Sequence, residues 1–429
     1  MPSRGRARDP HRPLLAPGGG DAGAAASAVV LRRFVIAAAA GVALALLPVA
    51  ALAHARLLVS DPAPGAVLDT LPAAVDLVFT EPVTPAGRGI NVYGPDGRLV
   101  SIGAARARGG GLSVSVSGSL AGTYAVVWTV VASDTHPSRG EFTFSVGHAS
   151  PVRAPGFGGG DVGLVSPVGL VLQSLGRWLH FAGFALGVGA ATFALFVARD
   201  PRTLRLAGFG VALLLVAEPL ALFAQTASLD PSQTFDGDAL TGALASPFGR
   251  VLGLRLGGAL LLWAVLGALG PALSGLGSPP TATRKTEMLR WAVPGLGVAL
   301  ALVDATAAHA TPALPQPVGL LLNALHVAAM GVWLGGVAAF VMAPSGGFGR
   351  LAGWSLGLLV VSGAALALLH FSSPLELLTT PYGAALAVKL PLVAIGLFFA
   401  WRARRRWELA TLLVVIAAAS VVVSLPPPR

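Results

Sequence analysis

Two short stretches in the N-terminal third of the sequence place metal-binding side chains beside predicted strand ends. Asp134 and His136 stand two residues apart, so on an extended chain both side chains point to the same side. Another carboxylate, Glu81, follows a second predicted strand end. Imidazole nitrogen combined with carboxylate oxygen suits Cu(II) in tetragonal geometry. The alternative is that Asp134 and His136 only shape the turn before Pro137, because an Asp-x-His spacing alone is a weak motif.

A processed N-terminus would add further ligand atoms to this set. Residues 34–53 are apolar, follow two arginines and end in Ala51-Leu52-Ala53, which predicts a signal peptide over residues 1–53 with cleavage after Ala53. His54 would then offer its amine and its ring nitrogen to one metal ion. The alternative is an uncleaved anchor, in which His54 has no free amine. With a processed His54, the sequence predicts a Cu(II) site.

The composition excludes several classes of protein. Hydrophobic residues make up 54% of the 429 residues and charged residues only 11%, which excludes both a single soluble domain and a disordered chain. The absence of cysteine excludes disulfides, iron–sulfur clusters, thiolate zinc sites and cysteine nucleophiles. The net charge of +10 arises outside residues 54–147, which hold six basic and seven acidic residues. No soluble segment has the basic face that nucleic-acid binding requires.

The predicted secondary structure that would position these residues changes along the chain from β-strands to membrane spans. Residues 54–147 alternate apolar and polar side chains between turn signals, which predicts six or seven short strands in an exported β-sandwich. Residues 148–163 are rich in Gly and Pro and read as a linker. Residues 164–429 form the membrane domain, with apolar runs long enough to cross a bilayer.

Eight such runs define the predicted membrane spans and their orientation. They lie near residues 166–197, 204–224, 248–270, 289–308, 318–342, 351–371, 383–402 and 408–425. With an exported domain in front, alternate loops fall inside, and those inside loops carry eleven Lys and Arg residues against none in the outside loops. This bias supports the orientation, because cytoplasmic loops are enriched in basic residues.

Four histidines lie in or beside the predicted spans: His180, His309, His326 and His370. Burying an ionisable residue inside a membrane costs free energy, so each of these histidines is a candidate functional residue. Met330 stands four residues after His326 on the same helix face and could add a thioether suited to Cu(I). The alternative for each histidine is a hydrogen bond to a neighbouring helix. The segments that begin at Leu179 and Leu325 resemble each other, which is compatible with a four-plus-four repeat.

Residues 54–147 resemble the CopC copper-resistance domain. The resemblance rests on HARLLVSDPAPGAVL, VDLVFTEPV and GTYAVVWTVVASDTHPSRGEFTFSV. It implies a cupredoxin- or immunoglobulin-like Greek-key sandwich in which His54, Asp134 and His136 bind Cu(II), with Glu81 as a ligand or a neighbour of the metal. Many CopC domains also carry a methionine-rich Cu(I) site, but residues 54–147 contain no methionine. We therefore expect a site for Cu(II) only.

The membrane half resembles the CopD family. Its motifs are Ala308-His309-Ala310, Asn323-Ala324-Leu325-His326, Gly331-Val332-Trp333-Leu334-Gly335-Gly336, Ser362-Gly363, and Leu378-Thr379-Thr380-Pro381-Tyr382-Gly383 with Lys389. Fusion of CopC ahead of CopD is a known arrangement, and CopD proteins are implicated in copper uptake.

The two resemblances together predict copper acquisition in a bacterial cytoplasmic membrane. The exported domain would capture Cu(II) and pass it to the membrane histidines for import as Cu(I) or Cu(II). The expected partners are copper ions, the lipid bilayer and periplasmic copper chaperones, with no nucleic acid.

Two alternatives belong to other classes of protein. An N-terminal histidine with a second histidine also forms the copper brace of an oxidoreductase, but Asp134 would fill the position that oxygen needs. A copper sensor or buffer would need one helix as an anchor, and eight spans argue against it. We therefore expect a transporter and not an enzyme.

Overall fold

The protein folds into a β-sandwich followed by a bundle of eight long apolar helices. A computed structural model describes the chain over residues 57–80, 82–108, 110–132, 137–155, 157, 167–198, 200–229, 234–235, 237–273, 284–308, 314–371 and 373–425. This architecture confirms the predicted fold class of a β-sandwich ahead of a polytopic helical domain.

The sandwich consists of two four-stranded sheets. Its strands are β1 (Leu57–Asp61), β2 (Val67–Leu68), β3 (Ala74–Phe79), β4 (Val83–Tyr93), β5 (Ser101–Arg108), β6 (Gly111–Val116), β7 (Gly122–Ala132) and β8 (Pro137–Val146). The strand orders are β1-β3-β6-β5 and β2-β8-β7-β4. The prediction of six or seven strands missed one, because a two-residue strand such as β2 is too short to show alternation.

The core of the sandwich is built by the alternating apolar residues of β3, β7 and β8. Phe79 and Trp128 meet edge to face across the two sheets, with ring centroids 5.1 Å apart. Trp128 pairs with Gly140 on β8, and a Cβ atom at that position would collide with the indole. The glycine therefore makes room for the largest side chain of this core.

Tyr124 closes one corner of the sandwich. Its ring stacks on Phe144 at 5.3 Å, and its hydroxyl donates to the carbonyl oxygen of Leu120 at 2.7 Å. Burial, together with the nearby negative charge of Asp96, raises the pKa of this hydroxyl.

The membrane domain contains eight spanning helices and two short ones. We label the helices α1 (Pro167–Phe184, continued by a π-helical turn Ala185–Ala190 and by Ala191–Phe196), α2 (Pro201–Leu229), α3 (Gly237–Ala245), α4 (Pro247–Leu273), α5 (Arg284–Thr306), α6 (Gln316–Met342), α7 (Phe348–Leu369), α8 (Glu376–Thr379), α9 (Pro381–Trp401) and α10 (Arg405–Ser424). All except α3 and α8 are long and apolar enough to cross a membrane, which confirms the eight predicted spans.

Helices α1 and α6 pack closely in the half of the bundle away from the β-sandwich. A Cβ atom on Gly189 would collide with the backbone of Gly331, and one on Gly335 with the backbone of Ala185. Small residues allow such backbone approach between membrane helices. The contact coincides with the π-helical turn of α1 and excludes open space between the two helices at this level.

Candidate functional site

A cavity of about 210 Å³ lies inside the helical bundle, and all eight spanning helices line it. The lining comes from helix ends that face the β-sandwich, for example Gln173 near the start of α1 and Phe248 at the start of α4. The deepest lining residue of α6, Met330, is fourteen residues from its start, or about 21 Å at 1.5 Å per residue. The cavity thus reaches to the middle of the bundle, where the contact between α1 and α6 ends it.

His326 lines this cavity, and its hydrogen bonding indicates which ring nitrogen has a lone pair. Its Nδ1 lies 3.0 Å from Ser362 Oγ, and the Ser362 hydroxyl donates to the carbonyl oxygen of Leu358 at 2.6 Å. Because the serine hydrogen is used there, Nδ1 carries the ring hydrogen and donates to Ser362. The lone pair of the neutral ring is therefore on Nε2. Met330, also part of the cavity lining, adds a thioether one turn further along α6.

His370 lines the same cavity near the end of α7. Its Nδ1 lies 2.7 Å from the carbonyl oxygen of Leu366, which can only accept, so Nδ1 carries the hydrogen. The ring stacks on Tyr382 at 6.0 Å and is 6% exposed. His370 and His326 therefore share one tautomer, with a lone pair on Nε2.

His180 differs from these two histidines because both of its ring nitrogens face carboxylates. Nδ1 lies 2.7 Å from Glu218 Oε1 and Nε2 lies 3.1 Å from Asp304 Oδ2. Asp304 also accepts from Arg255 Nε at 2.7 Å. We name these four residues, from α1, α2, α4 and α5, the charged cluster. In this arrangement His180 has no lone pair with which to bind a metal ion.

The other predicted site residues, His54, Glu81, Asp134, His136 and His309, lie outside the described residues. The described strand ends that flank the first four form register pairs within each of the two sheets. Leu57 pairs with Phe79, Val83 with Ala132, and Val131 with Pro137. These pairs mark one end of the sandwich.

The same end of the sandwich contacts the helical bundle. Strand β4 contacts α3, and a Cβ atom on Gly242 of α3 would lie 3.4 Å from the backbone nitrogen of Gly87. Helix α3 connects α2 to α4, and both of these line the cavity through Gln225 and Phe248. The β-sandwich thus rests beside the face on which the cavity begins.

Among the described residues, no three His, Cys, Asp or Glu side chains are grouped as a metal site. The histidines of the cavity therefore do not form a closed cage like that of a tightly bound structural metal. Nitrogen and thioether donors spread along a cavity suit an ion that moves through it.

A second sequence correspondence fits the four-plus-four repeat suggested by the segments at Leu179 and Leu325, although the sequence analysis did not find this pair of helices. Helix α4 begins Pro247-Phe248-Gly249 with Arg255 eight residues after the proline, and α9 begins Pro381-Tyr382-Gly383 with Lys389 at the same offset. Each is preceded by a short helix, α3 or α8. The signal was present in the sequence, but the alanine- and glycine-rich segments around it obscured the match.

Comparisons with known proteins find a match for each half of the chain. A family model described as CopC domain matches residues 57–147, and one described as Copper resistance protein D matches residues 342–419. The chain is 27% identical to copper transport protein CutJ of Bacillus subtilis (strain 168), over 90% of this chain and 76% of that protein.

Two further comparisons concern the β-sandwich alone. Copper resistance protein C of Xanthomonas campestris pv. juglandis is 35% identical, over 24% of this chain and 89% of that protein. Among solved structures, CopC from Methylosinus trichosporium OB3b aligns with 23% of this chain and 99% of that chain, at 25% identity and a TM-score of 0.21.

Proposed function

The chain belongs to the CopC–CopD family of copper transport and resistance proteins, and from this premise we propose that it captures Cu(II) outside the cell and imports copper through its membrane domain. The observation that carries the proposal is the cavity: it places His326 and Met330 in the half of the bundle that adjoins the β-sandwich.

In the proposed capture site, the amine and ring of His54 bind Cu(II) together with Asp134 and His136, and Glu81 lies beside the metal. The register of the flanking strands supports this set, because each of the four residues is at most three positions from a strand end at the same end of the sandwich. A chain of three residues spans at most about 11 Å. Nitrogen and carboxylate donors with no methionine favour Cu(II) over Cu(I).

Transfer then follows from the contact between the sandwich and α3. Copper leaves the exported domain and enters the cavity, where Nε2 of His326 and the thioether of Met330 accept it. A thioether is a soft ligand that suits Cu(I). Transit of captured Cu(II) in that form would take one electron per ion from a reductant outside the protein.

The inward direction is supported by the distribution of charge. The loops and helix ends on the face away from the β-sandwich carry the eleven basic residues counted in the sequence, and a face enriched in this way is cytoplasmic as a rule. The cavity begins on the opposite, outer face and is closed toward the basic loops by the packing of α1 on α6.

Uptake of copper by cells tests the membrane half of the proposal. We expect Met330→Leu and His326→Ala to lower copper accumulation, measured by elemental analysis of cells that express equal amounts of each variant. Met342→Leu is the matched control, because Met342 is on the same helix but does not line the cavity. Unchanged accumulation in both cavity variants would refute the pathway.

The capture site is tested on the mature protein. We expect its mass to correspond to cleavage after Ala53, and a single extra residue before His54 to weaken Cu(II) binding. His136→Ala should weaken it too, whereas His148→Ala, an exposed histidine just beyond β8, should not. A mature chain that does not begin at His54 would refute the proposed ligand set.

A further inference from the structure

Among the described residues, the charged cluster around His180 is a group of ionisable side chains in the cavity wall that the proposed copper coordination does not use. His180 is 3% exposed, Glu218 2% and Asp304 6%, and each comes from a different helix. Glu218 lines the cavity, and its buried Oε2 atom has no hydrogen-bond partner in the part of the chain that the structure describes. Such a set is costly in a membrane and calls for a functional explanation.

With both carboxylates of the cluster ionised, the cluster is electrically balanced when His180 carries two ring protons. Glu218 and Asp304 contribute two negative charges and Arg255 one positive charge, so the imidazolium supplies the second. Both ring nitrogens lie within hydrogen-bond distance of carboxylate oxygens, and both can donate only when both carry hydrogen. Loss of one proton would leave a net negative charge buried in the bundle, which is strongly unfavourable unless another cation compensates it.

Other titratable and charged groups face the same cavity and must be distinguished from His180. They are Arg177 on α1, His326 on α6, His370 on α7, and Tyr382 and Lys389 on α9. His326 is hydrogen-bonded through Nδ1, so a metal ion bound at its Nε2 would meet the lone pair of a neutral ring and displace no proton there. Lys389 is the main competing source of a proton.

We propose that the charged cluster is a proton-exchange site that couples the movement of copper to the movement of protons. This inference rests on the proposed function, because it requires that a metal cation enters the cavity. When a monovalent cation binds near His326, one proton leaves His180 for the solvent and the imidazolium becomes a neutral imidazole. The cation replaces the charge of the proton, and no electron is transferred.

The experiment uses the full-length protein in detergent and Ag(I), a monovalent probe that undergoes no redox chemistry under these conditions. His136→Ala is present in every sample to weaken the capture site. Titration calorimetry in two buffers of different ionisation enthalpy gives the protons released per Ag(I) bound. We expect about one proton, so that the apparent Kd falls about tenfold for each unit rise in pH.

Two variants identify the source of that proton. His180→Gln combined with Glu218→Gln keeps Asp304 paired with Arg255 and leaves no net charge, so this variant should fold, bind Ag(I) and release no proton. Lys389→Met should still release one proton.

The outcomes separate this inference from the proposed function. No proton release from the His136→Ala chain, or equal release from the double variant, would overturn the coupling role of His180. Loss of release in Lys389→Met alone would assign the proton to the lysine and overturn it as well. Failure of the His136→Ala chain to bind Ag(I) at all would instead refute the cavity as a metal pathway.

Discussion

Gly363 lies against the His326 ring, so substitution by alanine should weaken the pathway while leaving the fold intact. A Cβ atom on Gly363 would lie 2.8 Å from His326 Cε1, whereas ordinary contacts begin at 3.4 Å. The ring must therefore move by about 0.6 Å. Its hydrogen bond to Ser362, now 3.0 Å long, would lengthen toward about 3.6 Å, at which it no longer counts as a hydrogen bond.

The expected magnitudes follow from that displacement. Loss of the hydrogen bond removes about 0.5–1.5 kcal/mol of the energy that orients the ring, which corresponds to a reduction of about two- to tenfold in metal affinity. Overpacking costs about 1–3 kcal/mol of stability. Replacement of glycine by alanine inside a helix returns about 1 kcal/mol, so the net loss of stability is about 0–2 kcal/mol.

The assay compares Gly363→Ala with Gly353→Ala on the same helix. A Cβ atom on Gly353 would meet nothing within 4 Å, so this control gains the same helix propensity without the contact. Uptake of Ag(I) into proteoliposomes and thermal unfolding in detergent are measured for both variants. Ser362→Ala should reproduce the uptake defect of Gly363→Ala without any steric change. Full uptake by Gly363→Ala would refute the assignment of His326 to the pathway.

Three further predictions concern stability. Gly140→Ala should destabilise the β-sandwich by about 1–3 kcal/mol in thermal unfolding, because its methyl group overlaps the indole of Trp128; an unchanged midpoint would contradict this packing. Tyr124→Phe removes the hydroxyl donor and should lower the free energy of unfolding by about 0.5–1.5 kcal/mol in chemical denaturation. An unchanged free energy of unfolding would contradict a net contribution from this hydrogen bond. Asp304→Asn should cost about 3–5 kcal/mol in detergent, because His180 and Arg255 both lose a carboxylate inside the bundle. Asp200→Asn should unfold like the unaltered protein, because its ion-pair partner Arg202 is mostly exposed.

Local patterns in the sequence predicted the fold well because each pattern has a local physical cause. The alternation in β3, β7 and β8 reflects strands with one buried face. The eight spans follow from the length of an apolar run needed to cross a bilayer. The short helices α3 and α8 escaped this reasoning because they are neither long nor periodic enough.

The sequence by itself predicted a β-sandwich that resembles a copper-resistance domain, and eight membrane spans. It also showed that histidines, and no cysteines, are present to bind a metal ion. It did not determine which buried groups meet, because His180 and Asp304 are 124 positions apart and pair only through the packing of α1 against its neighbours. The tertiary structure alone decided that His326 keeps a lone pair toward the cavity while His180 is held between two carboxylates. Hydrogen-bond partners fix the proton positions of a histidine, and those partners come from other helices.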